Sequence, residues 1–138
     1  MVKDSKLKIG EIDMSQKHKE IIEKVNAAFA KGSTEGFLSF CAEDVEWTMV
    51  GDKTVRGKDA IRRWMASMGD MEPPKFTVDN VIAEGDFATA NGDMTMKDKD
   101  GKAVPYAYCD IYRFRNDKIV ALNSFVIKTE AKREASGA

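Results

Sequence analysis

An α+β fold, with helices packed on one curved and mostly antiparallel sheet, is what this sequence predicts, and three observations carry the prediction. Apolar residues recur at helical spacing through the first half of the chain. Pro73-Pro74 closes that half, because proline cannot continue a helix. Beyond it lie strand-length segments separated by Gly85-Asp86, Asp100-Gly101 and Asn116-Asp117, residue pairs that favour tight hairpin turns. Helices first and then a run of strands is the α+β order.

The first helix is expected from Ser15, a capping residue, to Lys31. Its apolar face is Ile21, Ile22, Val25, Ala28 and Phe29, and Gly32 takes the position after the helix end. A short second helix follows, capped by Ser33 or Thr34, with Phe37, Leu38, Phe40 and Cys41 towards the core. The segment EDVEWTMVG is a strand with Val45, Trp47 and Met49 on one face. Residues 51–57 form a turn-rich link to a third helix, Lys58 to Met68, whose apolar face is Ile61, Trp64, Met65 and Met68. Strands are expected over Phe76–Glu84, Phe87–Lys97, Val104–Arg115 and Ile119–Lys128. Residues 1–14 read as a flexible arm and 130–138 as a flexible tail, which leaves a single domain over 15–129.

A chain of 138 residues, 43% hydrophobic and 33% charged, suits one globular domain. The 22 basic and 23 acidic residues are well mixed and form no basic stripe, so nucleic acid is not an expected partner. Apolar runs such as AAFA and IVAL fall far short of the roughly 20 residues of a membrane span, and the first residues lack the apolar stretch of a secretory signal. A cytoplasmic protein without membrane contact is expected.

Cys41 and Cys109 have no CxxC spacing and only one histidine, His18, accompanies them, so no metal site is expected. They read as reduced thiols packed as small hydrophobes. His18, in the first turn of the expected first helix, reads as solvated. One histidine cannot build a Ser-His-Asp or Cys-His set, and neither a P-loop nor GxGxxG occurs, so no cofactor is expected. Any catalysis then rests on carboxylates, tyrosines, amides and hydroxyls.

Asp100-Gly101 is the strongest short hairpin signal. As a two-residue turn it sets Lys99 opposite Lys102, Thr95 opposite Tyr106, Asp93 opposite Tyr108 and Asn91 opposite Asp110. Thr89, Asn91, Asp93, Thr95, Tyr106, Tyr108, Asp110 and Tyr112 then share one face, and Ala88, Ala90, Met94, Met96, Ala107, Cys109 and Ile111 the other. Two readings compete. Either the aliphatic face packs on the helices and the polar face is solvated, or the sheet curls around the polar and aromatic face and the aliphatic face meets a second copy of the chain. Periodicity leaves both open. Three tyrosines on a nominally solvated face weigh against the first. Phe29, Trp47, Met49, Trp64 and Met65 are core residues by their spacing, and line a cavity only if the helices stand off the sheet.

The segments AFAKGSTEGFLSFCAEDVEWTMVG, VRGKDAIRRWM and YCDIYRFRNDKIVALNSF, in that order, resemble the nuclear-transport-factor-2-like superfamily, in its SnoaL-like and ketosteroid-isomerase-related group. The resemblance covers about Ser15 to Thr129. It implies a cone-shaped barrel, three helices over a strongly bent sheet, with a pocket on the concave side and a convex side that commonly dimerises. It thereby favours the second reading and points Asn91, Asp93, Tyr108 and Asp110 inward.

The same resemblance places Asp110, in CDIYRF, at the oxyanion-stabilising aspartic acid of ketosteroid isomerases. The isomerase base falls at Met49 and its tyrosine at Val25. The Arg-x-Asp pair of the related epoxide hydrolases falls on Asp93 and Thr95, and their last-strand aspartate on Ser124, so neither carboxylate position is kept. A strict two-residue turn at Asn116-Asp117 puts Asn123 opposite Asp110, where the resemblance puts Ser124. A three-residue turn with a bulge reconciles the two.

The function expected from these residues is acid–base chemistry on a small apolar carbonyl compound, of the isomerase, cyclase or lyase type. Asp110 and Asp93 are its candidate catalytic groups. Asn91, Thr95, Tyr108, Tyr112, Ser124, Trp47, Met49, Trp64 and Phe29 are candidates for holding the ligand. A non-catalytic binding or carrier domain with the same pocket is the alternative, and a dimerisation domain without a ligand is a third. The expected partners are the small organic ligand and a second copy of the chain, bound through the outer sheet face at Ala88, Ala90, Met94, Cys109 and Ile111.

Overall fold

The computed structural model describes residues 2–68 and 72–130, with side chains from Met14 onward. The expected C-terminal tail lies outside the described residues beyond Glu130.

Helix α1 (Val2–Ala30) ends where the sequence places its end. Gly32 takes φ +70°, and Ser33 N donates to Ala28 O at 2.8 Å, the six-to-one closure that a glycine after the last turn permits. At its start α1 departs from expectation. It continues back to Val2, so Ser15 is an interior residue and no cap. His18 thereby sits well inside the helix and is fully buried, stacked on Phe114 at 3.9 Å with Nδ1 3.1 Å from Gly85 O. The reading of His18 as solvated is corrected.

Ser33 caps α2 (Thr34–Leu38), its hydroxyl accepting from Gly36 N at 3.0 Å. Strand β1 (Cys41–Met49) follows, and the expected link contains a short strand β2 (Lys53–Arg56) paired with it. Helix α3 spans Lys58–Ala66. The expected strand over Phe76–Glu84 is two strands, β3 (Lys75–Phe76) and β4 (Asn80–Glu84), both paired with β5 (Phe87–Lys97). The break is explained at Gly92, where a Cβ would stand 2.2 Å from Thr77 O. Only glycine lets the backbone of Thr77 approach so closely. Strands β6 (Ala103–Arg115) and β7 (Lys118–Lys128) complete the sheet.

The sheet order is β2-β1-β7-β6-β5-β3, with β4 also on β5; only β1 and β7 run parallel. Three helices and one curved sheet match the α+β class predicted, but the sheet does not close into a barrel, since β2 and β3 remain its ends. The core lies between the helices and the concave face, where Ile22, Val25, Phe37, Leu38, Ile61 and Leu122 are almost completely buried.

Two details of register decide which side chains share the concave face. The first is the β5–β6 hairpin. The carboxylate of Asp98 accepts from the backbone N of Asp100 and of Lys102, each at 2.9 Å, and Asp98 N donates to Lys102 O. The loop is therefore three residues long, closed by Asp98 and Lys102, with Gly101 at φ +82°. Lys97 pairs with Ala103, Asp93 with Ala107 and Asn91 with Cys109. This is one residue from the expected register, and such a slip moves every side chain of one strand to the other face. Asn91, Asp93 and Thr95 lie on the convex side, opposite to Asp110, which is a correction to their expected place in the pocket. Ala88, Ala90, Gly92 and Met94 share the face of Tyr108, Asp110 and Tyr112.

The second detail is the β6–β7 hairpin. Asn116 and Asp117 take φ +52° and +62°, and Arg115 pairs with Lys118, so the turn has two residues. The register then shifts between Phe114 and Arg113, which pair with Ile119 and Ala121, so that Val120 is the extra residue. This bulge lies within the strand, not in the turn, and brings Ser124 opposite Asp110.

Candidate functional site

The helices and the concave face enclose a cavity of about 800 Å³. That is within the range of pockets for small organic molecules. Strand β6 supplies Tyr108 and Asp110, β7 supplies Ser124, β1 supplies Trp47 and Met49, and α1 and α3 supply Phe29 and Trp64. Seven of the expected site residues are thus brought together. Tyr112 is not among them: it shares the face of Asp110 but is fully buried in the core beneath the cavity. Asn91, Asp93 and Thr95 are also absent, for the reason of register given above.

Trp47 and Trp64 meet edge to face at 5.1 Å, and Lys53 Nζ lies 5.2 Å from the centre of the Trp64 ring. These contacts hold an aromatic wall in place. Met49, Met65, Met68, Met94 and Met96 line much of the remainder, and such side chains can adapt to irregular ligands. Exposed Glu72, Lys97 and Lys99 belong to the rim.

Asp110 is the carboxyl of the interior. Trp47 Nε1 donates to Ser124 Oγ at 2.9 Å, and the Ser124 hydroxyl hydrogen-bonds the Asp110 side chain. With its oxygen accepting from the indole, Ser124 has its proton to give to the carboxylate. Burial raises the Asp110 pKa to about 6, and the Ser124 bond opposes the rise without cancelling it. The Tyr108 hydroxyl donates to Thr77 O at 2.5 Å, and burial, then the nearby Asp110, push its pKa up to about 12. Tyr108 thus lines the cavity while its proton is engaged elsewhere.

Burial pushes the Cys41 thiol up to about 12, and its Sγ–H points to Phe37 O at 3.5 Å, so it is a packed hydrophobe and no nucleophile. Cys109 is on the convex face and is also free. Among the described residues no cluster of three or more His, Cys, Asp or Glu is placed to hold a metal ion.

Sequence reasoning missed Asn26, Phe76, Met94 and Met96. Asn26 had a signal: it lies four residues after Ile22 and three before Phe29, a polar residue within an apolar helix face. Met94 and Met96 were lost with the hairpin register.

The family model for the SnoaL-like domain matches residues 22–122. This chain belongs to the SnoaL-like family. No curated protein matches it. Among solved structures, an NTF2-like protein of unknown function from Cytophaga hutchinsonii is similar at 28% identity and TM-score 0.67, over 79% of this chain and 98% of that one. A candidate polyketide cyclase from Xanthomonas campestris has 19% identity and TM-score 0.72, over 80% and 90% of the two chains. An LEH-like epoxide hydrolase from M. tuberculosis has 12% identity and TM-score 0.73, over 82% and 84%. The last two likenesses establish the shared fold alone. No helix among the described residues of this SnoaL-like protein is long and apolar enough to cross a membrane.

Proposed function

We propose that this SnoaL-like domain binds a small apolar carbonyl compound in the cavity and moves a proton on it with Asp110, as an isomerase, cyclase or lyase does. One observation carries the reading: a carboxyl with a pKa raised to about 6 lies in an aromatic and methionine-lined cavity, tethered by Ser124 and Trp47. A base titrating near the working pH is suited to general catalysis. At neutral pH Asp110 is mostly ionised and acts first as a base. It takes the proton beside the carbonyl, the electron pair moves to the carbonyl oxygen, and the same proton can return at a second carbon. One carboxyl therefore suffices for an isomerisation. That matters because Asp93 faces the convex side and Met49 cannot take a proton.

The test is a panel of enones, steroid-like ketones, epoxides and polyketide-like aromatics, scored first for thermal stabilisation and then for conversion. The expected outcome is conversion that rises with pH through about 6 in wild type. Asp110→Asn should lower it by about 10²-fold or more while binding changes far less. Conversion that survives Asp110→Asn would exclude Asp110 as the base. Tight binding without conversion throughout would favour the carrier reading.

A second copy of the chain is the partner proposed for the convex face. Ile82, Phe87, Phe125 and Ile127 are exposed there, at 62, 52, 38 and 66%, beside Cys109 and Ile111. A cluster of large exposed apolar side chains is characteristic of an interface. The patch differs from the one expected, because Ala88 and Ala90 are buried on the concave side and Met94 lines the cavity.

A further inference from the structure

We infer that Trp47 is a positioning residue for the proposed base: its indole N–H fixes the Ser124 hydroxyl so that the Ser124 proton is directed at the Asp110 carboxylate. The inference rests on the role proposed for Asp110 and adds the residue that acts on it through another. Trp47, Ser124 and Asp110 stand on β1, β7 and β6, three neighbouring strands, and follow one another across the cavity wall. Ser124 is opposite Asp110 because of the bulge at Val120, and cross-strand partners are close enough for their side chains to meet. On its other side the Ser124 backbone is pinned to β1, where Val50 N donates to Ser124 O at 3.0 Å.

The direction of the bonds follows from the donors present. An indole N–H can only donate, so at 2.9 Å Ser124 Oγ is the acceptor. A hydroxyl has one proton, and with Oγ so engaged that proton goes to the carboxyl opposite. One oxygen of Asp110 is thereby held, and the other is left for the proton of a ligand. Without the indole, Ser124 Oγ would be free to turn and accept from the protonated acid, which favours the acid over the base. Trp47 therefore selects the ionised carboxylate, the form that takes a proton.

The indole is itself held. Its ring centre lies 5.1 Å from that of Trp64, 5.2 Å from Phe37 and 5.8 Å from Phe29, and only 9% of the residue is exposed. Phenylalanine or leucine would serve for packing there without bringing a buried N–H that needs a partner. The polar atom is what tryptophan adds at this place, and its partner is Ser124.

The test is a carbon-detected titration of the Asp110 side chain in the ligand-free protein. It compares wild type, Ser124→Ala, a protein with 3-benzothienylalanine at position 47, and the combination of the two changes. Benzothienylalanine keeps the bicyclic shape of tryptophan and has sulfur in place of the N–H. Ser124→Ala should raise the midpoint from about 6 to about 7, the scale of one hydrogen bond to a charged group. The isostere should move it in the same direction and by less. In the combination it should add nothing, because an effect transmitted through Ser124 is lost with the hydroxyl. If the isostere does not fold, Trp47→Phe with and without Ser124→Ala decides, since the cycle cancels what the smaller ring does to solvation. A midpoint that the isostere leaves unchanged or lowers, or an effect as large without the Ser124 hydroxyl, would overturn the inference and leave Asp110 standing as the base. A wild-type midpoint at or below 3.8 would overturn the proposed function and this inference with it.

Discussion

Asp110 is partly buried in the cavity wall, and this has a thermodynamic consequence with a definite sign. Its pKa is raised from 3.8 to about 6 in the folded protein, with desolvation as the largest cause. Below about pH 4 the carboxyl is protonated in both states and exacts no penalty. Between about pH 4 and 6 the unfolded chain ionises it and the folded chain resists, so stability falls as pH rises through this window. The total loss is about 3 kcal/mol, the free energy of keeping the proton over that span of pH. Asp110→Asn should remove this loss, leaving the variant more stable than wild type at pH 7 and little changed at pH 4. Urea midpoints at the two pH values measure it; a variant less stable than wild type at pH 7 would contradict a desolvated carboxyl. At this scale the sequence disclosed Asp110, through its place in CDIYRF, but not the Ser124–Trp47 tether, which joins residues 77 positions apart.

Elements were the more legible scale, because periodicity and caps are local. Gly32, Ser33, Pro73 and the three turn pairs fall where the chain changes direction. The error that changed the site was a single residue at one turn. Asp100-Gly101 has the composition of a two-residue turn, but Asp98 binds the amides of Asp100 and Lys102 and starts the loop earlier. Nothing in the alternation of β5 alone opposed the wrong register, since Ala, Met, Thr and Asn fit either face. That one residue moved Asn91, Asp93 and Thr95 out of the site and Met94 into it. Asp98→Ala should cost about 1 kcal/mol, as the loss of a side-chain cap does. It should speed hydrogen exchange at the amides of Asp100 and Lys102. Unchanged exchange there would mean that the carboxylate does not set the loop. The bulge at Val120 was likewise invisible as a position, and only the family resemblance, which sets Ser124 opposite Asp110, pointed to a bulge at all.

At the scale of the whole molecule the fold follows from amphipathic faces, and the family model over residues 22–122 agrees with it. Which side of the sheet was concave could not be read from a hairpin whose two faces both carry apolar groups. Burial decides it: Tyr112 and Leu122 are inaccessible on one side, while Ile127 is 66% exposed on the other. A sheet-to-sheet dimer should therefore sediment as a two-fold species at micromolar concentration, and Ile127→Asp should shift it towards monomer. A wild-type monomer at that concentration would remove the proposed interface. Helices, concave sheet and aromatic wall together hold Asp110 in the cavity wall, and the proposed chemistry depends on that carboxyl more than on any other group. A carbon-detected NMR titration of the Asp110 side chain tests its state without any ligand. The midpoint should lie near 6, against 3.8 for an unperturbed aspartate. A midpoint at or below 3.8 would mean that the carboxyl is solvated or ion-paired, and the cavity would then have no base near neutral pH.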